Sequence, residues 1–172
     1  FRPVKRISDI IKTFYQIQKE IPAKLMMVGE GPEKEPAELL CERLGIEDKV
    51  VFFGKSHEID KILCFSDLFL LPSETESFGL AALEAMASGV PVISSNTGGI
   101  PEVNKHGVSG FLSDVGDIDD MVKNALYILK NEKVLSQFKL NAKQEAMKFD
   151  IHQIVPFYED VYNKAMINCI SI

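Results

Sequence analysis

The stretch Leu70-Leu71-Pro72-Ser73-Glu74-Thr75-Glu76-Ser77-Phe78-Gly79-Leu80-Ala81-Ala82-Leu83-Glu84 decides the fold. An apolar run ends at Pro72, a short polar loop follows, and helix-forming residues then continue to a stop near Gly89. Backbone N–H groups at a helix start have no intrahelical acceptor, and the helix dipole favours negative charge there. The loop is therefore a place to hold an anion. The pattern predicts a helix starting between Ser77 and Gly79, which sets Glu84 about a turn and a half inside it, roughly 8 Å further along the axis. Glu76 stays in the loop. Carboxylates on two sides of a bound phosphate suit hydroxyls on both of its flanks, the layout of a sugar–diphosphate–ribose ligand.

Working outward, apolar runs of strand length alternate with amphipathic stretches of helix length, the pattern of a parallel sheet covered by helices. Ser8 is in position to cap a helix with the apolar face Ile10, Ile11, Phe14 and Ile17. Strands are predicted over 24–28, 50–53, 68–71, 90–93 and 111–112. Helices fall between them over 35–44, 58–65 and 80–88, with Gly45 in the C-terminal position that suits left-handed geometry. Beyond Asp117 the strands cease, and three helices follow over about 118–130, 133–147 and 152–167. The reading is one α/β domain, a doubly wound parallel sheet with a helical C-terminal tail. Phe1-Arg2-Pro3 reads as a loop leaving a strand that belongs in the sheet centre, so the chain is expected to come from a longer one.

Composition narrows the function. A chain of 172 residues suits one well-cored domain, and 46% apolar with 26% charged residues is ordinary for a globular protein. The net charge of −6 argues against nucleic acid or anionic membrane as a bulk partner. It leaves room for a phosphate held by local dipoles and a few cations. No run approaches the length of a membrane span, and no signal-peptide pattern opens the chain. Cys41, Cys64 and Cys169 are scattered without metal-ligand spacing and read as reduced thiols, two of them on apolar helix faces, in a cytoplasmic protein. His57, His106 and His152 form no metal motif; His106, in a Gly-rich loop near the anion site, is kept as a candidate.

Ligands of open parallel sheets bind at the carboxyl ends of the strands. The segments 2–6, 29–32, 73–79 and 96–102 fall there. Gly29-Glu30-Gly31 reads either as a tight turn or as a close backbone approach to a ligand. Gly98-Gly99 before Ile100-Pro101-Glu102 is expected to aim free N–H groups into the crevice. Arg2, Lys5 and Arg6 form either a solvated basic turn or a clamp on a diphosphate, which Arg grips with paired donors and Lys with a point charge. Glu84, between Leu83 and Ala85-Met86-Ala87, is expected in an apolar helix packed on both sides, where a carboxylate needs partners.

Together, Glu76-Ser77-Phe78-Gly79-Leu80, the run from Glu84 to Ile93, Gly98 to Glu102 and Val28 to Pro32 resemble the nucleotide-binding half of the family-4 retaining glycosyltransferases, over essentially the whole chain. The resemblance implies a two-domain GT-B architecture with a Rossmann-like donor-binding domain over 1–172, and an acceptor domain outside it. In such an architecture the last helix, over 151–168, crosses back to the other half and leaves apolar surface for dimer contacts.

By position, Glu84 resembles the family's ribose-binding glutamate, and Glu76 the one that contacts the donor sugar. Phe78, Gly79 and Leu80, following Ser77, would offer backbone groups to sugar and diphosphate. Arg2 and Lys5 resemble the basic pair that neutralises the diphosphate; their spacing is shorter than usual, which leaves Lys5 and Arg6 as alternatives. The loop with Lys55 corresponds to the nucleobase position. Phe1 to Arg6 and His106 to Phe111 most resemble the bacillithiol-pathway branch, which transfers N-acetylglucosamine from UDP-GlcNAc to L-malate. The resemblance implies a retaining transfer with no metal, the cations being supplied by the protein itself. Two rivals stand beside it: a relative that transfers a hexose to a lipid or polysaccharide, and a non-catalytic nucleotide-binding module.

Overall fold

The computed structural model describes residues 1–170, with side chains to Met166. Five parallel strands carry the fold: β1 (Leu25–Val28), β2 (Val50–Gly54), β3 (Phe69–Leu71), β4 (Val92–Ser95) and β5 (Gly110–Ser113). The helices are α1 (Ile7–Glu20), α2 (Lys34–Leu44), α3 (Ile59–Cys64), α4 (Leu80–Ala87), α5 (Ile100–Val103), α6 (Ile118–Leu129), α7 (Glu132–Met147) and α8 (Ile151–Ile170). The expected alternation is present, and so is the helical tail.

The sheet is in two parts. Strand β1 pairs with β2, and β4 sits between β3 and β5, all in parallel. Between the facing edges of β1 and β3 lies a slot of about 670 Å³, lined by Met26, Val28, Leu68, Leu70, Ile10 and Ile17 among others. Three apolar clusters hold the layers together. One joins α1 and α2 to β1 and β2 through Ile7, Ile11, Phe14, Met27, Ala37 and Cys41. A second joins Leu71, Ala82, Met86, Val92, Ile100 and Ala142. The third joins Ile17 of α1 to Ile93, Met121, Ile128 and Phe138.

Local sequence explains most helix ends. The side chain of Asp117 accepts the N–H of Asp120 and caps α6, and Asn131 accepts from Lys133 and Val134 at the start of α7. Gly45 closes α2 at φ 64° in open space, where its lack of a Cβ costs nothing to neighbours. Helix α1 differs from expectation. Ser8 does not cap it: the helix begins at Ile7, after a 3₁₀ turn over Pro3–Lys5, and Arg6 makes the junction in left-handed conformation at φ 49°. That turn fixes the start before Ser8 is reached.

Strand β4 is also displaced from the expected 90–93 to Val92–Ser95. Val90 is tied to the end of α4, its N–H donating to Ala85, and Pro91 has no N–H for the ladder. The strand then runs into Ser94 and Ser95, both fully buried. Asn104 makes part of this interior tolerable by donating to the carbonyls of Val92 and Phe111 and to Ser94 Oγ.

Candidate functional site

Every strand delivers a loop to the same edge of the molecule. The N–H of Glu74, after β3, donates to the carbonyl of Val4 at 2.8 Å and stitches the N-terminal turn to the β3–α4 loop. Thr97 Oγ1, after β4, donates to the carbonyl of Glu74 at 3.2 Å, and the N–H of Gly99 donates to the carbonyl of Glu76 at 3.0 Å. After β5, the Arg6 guanidinium lies against Gly116. The chain segments 2–6, 73–80, 96–99 and 114–117 thus form one continuous crown.

Inside this crown the Lys5 ammonium meets Glu76 Oε2 at 2.5 Å, and Ser73 Oγ donates to the same oxygen at 3.4 Å. Both partners are partly shielded from solvent. Beside them the chain rises into α4 through Gly79, at φ 94°. Among the described residues the N–H groups of Ser77, Phe78, Gly79 and Leu80 meet no protein acceptor. Those of Gly79 and Leu80 are unsatisfied donors at the helix start, and those of Ser77 and Phe78 belong to the loop leading into it, beside a cation–carboxylate pair. The arrangement can hold an anion through backbone dipoles and present a carboxylate oxygen to hydroxyls beside it.

The remaining sequence-predicted residues distribute as follows. Arg2 is exposed and begins the 3₁₀ turn, its carbonyl accepting the N–H of Lys5 at 2.9 Å. Ser77 and Leu80 are exposed, whereas Phe78 packs edge-on against Phe149 with ring centres 5.7 Å apart. Gly29 donates to the carbonyl of Gly54 at 2.7 Å, which joins the β1 and β2 loops. Lys55 lies on the outer rim of that second group, 3.5 Å from Glu30 and largely exposed. A Cβ on Gly31 would fall 2.3 Å from the Phe1 carbonyl oxygen, so Gly31 is demanded by the chain's own backbone.

Two expectations are corrected. Glu84 is exposed, not enclosed in an apolar environment. Helix α4 buries Ala82, Ala85 and Met86, and Glu84 falls on the opposite side. Burial therefore does not force Glu84 to find partners, and the residue keeps its place on the helix beyond the free amides. The amides near Gly98 and Gly99 are also not aimed freely into the crevice. The Gly99 N–H is spent on Glu76, and α5 is only a single turn over Ile100–Val103. These glycines serve the close approach of two loops.

His106 has a structural position: its Nδ1 accepts the N–H of Leu112 at 3.1 Å, and its ring meets Phe111 edge-on. Sequence reasoning missed Asp9, which is 3% exposed and pairs with Arg6 Nε at 2.6 Å. No local signal marked it, because an acid two residues from both Ile7 and Ile11 falls on the far side of the helix from them. Among the described residues no helix is long and apolar enough to cross a membrane. Cys169 lies outside the residues whose side chains are described.

The architecture is a parallel α/β domain with free backbone amides gathered at its strand ends, and comparison with known proteins gives its family. The family model for glycosyl transferases group 1 matches residues 1–145, and the chain belongs to that family. Its fold is the Rossmann-like α/β fold of GT-B glycosyltransferase domains. It is 44% identical over 163 residues to the N-acetyl-alpha-D-glucosaminyl L-malate synthase of Bacillus anthracis, covering 94% of this chain and 43% of that protein. It is 33% identical to the 2-deoxystreptamine N-acetyl-D-glucosaminyltransferase of Niallia circulans, covering 88% of this chain and 41% of the relative. Anabaena HepE, solved in complex with UDP, superposes with a TM-score of 0.88 at 26% identity, covering 95% of this chain and 46% of that one. The chain spans less than half the length of each.

Proposed function

We propose that this chain is the donor-binding domain of a retaining glycosyltransferase that takes a UDP-sugar, in particular UDP-GlcNAc, and passes the sugar to a small hydroxy acid such as L-malate. The observation that carries the reading is the row of unpartnered amides at 77–80 beside the Lys5–Glu76 pair. The diphosphate takes those amides. Lys5 and Arg2 supply positive charge, and Glu76 faces the sugar hydroxyls. Glu84, exposed on α4, accepts from the ribose hydroxyls. Lys55 and its neighbours border the nucleobase. The 44% identity to an N-acetylglucosaminyl malate synthase supports the choice of sugar and acceptor.

In this reading departure of UDP builds negative charge on the β-phosphate while the sugar gains oxocarbenium character. Fixed donors aimed at that developing charge lower the barrier, each by about 3 kcal/mol in comparable sites. The charge is met by protein groups, so the reading assigns no metal. Groups for the acceptor come from a second domain outside this sequence, and the chain by itself binds UDP without turnover.

The slot between β1 and β3 belongs to the same proposal. A parallel strand placed there would hydrogen-bond to both open edges and make one continuous sheet, as neighbouring strands lie about 4.8 Å apart. Its side chains would meet Met26, Leu70 and the inner face of α1.

Calorimetric titration with UDP tests the site: Glu84→Gln is expected to weaken binding about tenfold through loss of a charged acceptor. Affinity held within twofold would remove Glu84 from the ribose. The full-length protein supplied with UDP-GlcNAc or UDP-glucose, and with L-malate or a lipid acceptor, tests the substrates. Turnover only with UDP-glucose, or only on the lipid, would overturn the assignment.

A further inference from the structure

Helix α1 carries an anomaly. Its apolar side buries Ile7, Ile11, Phe14 and Ile17, yet Asp9, one turn before the buried Thr13 and away from Ile7 and Ile11, is buried too, at 3% exposure. A carboxylate in that setting is costly unless paired, and a buried ion pair is a weak source of stability compared with an apolar residue of similar size. Its partners are Arg6 Nε at 2.6 Å, Ser8 Oγ at 3.4 Å and Lys12 Nζ at 3.9 Å.

Arg6 is itself unusual. Among the described residues it is the sole non-glycine residue with positive φ. Left-handed geometry costs a side-chain-bearing residue about 1 kcal/mol or more and persists where the surroundings over-determine it. Here they do so from three sides. The Arg6 N–H donates to Pro3 at 2.8 Å, the Arg6 carbonyl accepts from Asp9 at 2.9 Å, and the guanidinium packs against Gly116, with Nη2 3.0 Å from where a Cβ would be. Held by Asp9 and by the β5–α6 loop, Arg6 is occupied. Lys5, one residue earlier in the same turn, is thereby directed to Glu76.

We infer that Asp9 is a positioning residue for the anion site: through Arg6 it sets the 3₁₀ turn over Pro3–Lys5, and with it the place of the Lys5 ammonium. This rests on the proposed diphosphate role of Lys5 and goes beyond it. It also separates the two basic residues that the sequence leaves as alternatives. Lys5 meets the ligand, and Arg6 is an internal brace.

The test is a double-mutant cycle with UDP, read by calorimetry, on the wild-type chain, Asp9→Asn, Lys5→Met and the double variant, with thermal melts of each. Asp9→Asn is expected to weaken UDP about tenfold in the wild-type background and less than twofold once Lys5 is gone, the non-additivity of residues acting as one unit. An equal loss in both backgrounds would show general loosening and overturn the inference, as would unchanged affinity in Asp9→Asn. A second measurement needs no nucleotide. Acetylation of Lys5 by an N-hydroxysuccinimide ester, followed by peptide mass spectrometry against exposed Lys24, should accelerate in Asp9→Asn. It should accelerate equally in Arg6→Gly, which keeps the left-handed turn at low cost while removing the pair. A wild-type chain that ignores UDP yet shows this acceleration would sink the diphosphate reading and leave the positioning intact. A Lys5 rate unchanged in both variants would sink the positioning.

Discussion

The carbonyl oxygen of Glu76 sits 1.8 Å from where a Cβ on Gly98 would stand. The β4–α5 loop therefore lies flush against the β3–α4 loop, and a hydrogen bond from Gly99 to the same carbonyl locks the two together. The glycine is there for the protein's own backbone.

From this contact, Gly98→Ala is expected to cost on the order of 3 kcal/mol, since it combines a backbone clash with left-handed φ. Gly45→Ala is the control: it has comparable φ but nothing within 4 Å of the added carbon. Its expected cost is about 1 kcal/mol. Urea denaturation midpoints check both, and UDP affinity should fall with the first substitution only.

Glu76 touches Lys5 and Ser73 at one oxygen. Glu76→Gln retains the shape and one acceptor but loses the charge. Affinity for UDP itself is expected to stay within about threefold, while any preference for UDP-GlcNAc over UDP disappears, because the sugar hydroxyls lose their charged acceptor. Parallel titrations with the two ligands decide this.

The thiols should separate cleanly under alkylation. Burial pushes the Cys41 thiol up, with the charges of Glu47 and Glu38 adding to the shift. Cys64 is exposed. Iodoacetamide at neutral pH is expected to modify Cys64 at once and Cys41 only after unfolding, as peptide mapping will show. The sign for stability follows from linkage. The unfolded thiol ionises near its ordinary value of about 8.5, below the folded one, so the contribution of Cys41 is complete under that pH. It is lost as pH rises through the folded value. Replacing Cys41 by Ala should flatten the alkaline arm of the stability curve.

The slot has a geometric test. If a strand's width separates β1 from β3, their Cα atoms lie about 9.6 Å apart, beyond disulfide reach. With Cys64 replaced by Ser, Met26→Cys combined in turn with Phe69→Cys, Leu70→Cys or Leu71→Cys should give no disulfide under oxidation. A cross-link in any pair would show that the edges meet directly.

Most of the architecture was legible because it follows from short-range patterns. Strand runs such as those read at 24–28 and 50–53, the capping aspartate of α6 and Gly45 each carry their message within a few residues. The junction at Arg6 was not legible, since a left-handed arginine looks like any other in the sequence and is held not by the nearby Asp9 alone but also against Gly116, far along the chain. Serines 94 and 95 hid the end of β4: Ser94 is tied to Asn104, far along the chain, and among the described residues Ser95 Oγ is buried without a partner. The site was half visible. The loop 76–80 announced its free amides, whereas the exposure of Glu84 depends on which side of α4 meets the core, and a helix whose other residues are all apolar gives little periodicity to read.

Helix α1 reaches into two of the three apolar clusters, with Ile7, Ile11 and Phe14 on one side of the divided sheet and Ile17 on the other. It works as a rivet through two plates that, among the described residues, share no rung of backbone bonding. Damage to α2 stays in one plate. Damage to α1 loosens both at once, and lets go of the turn that begins the crown.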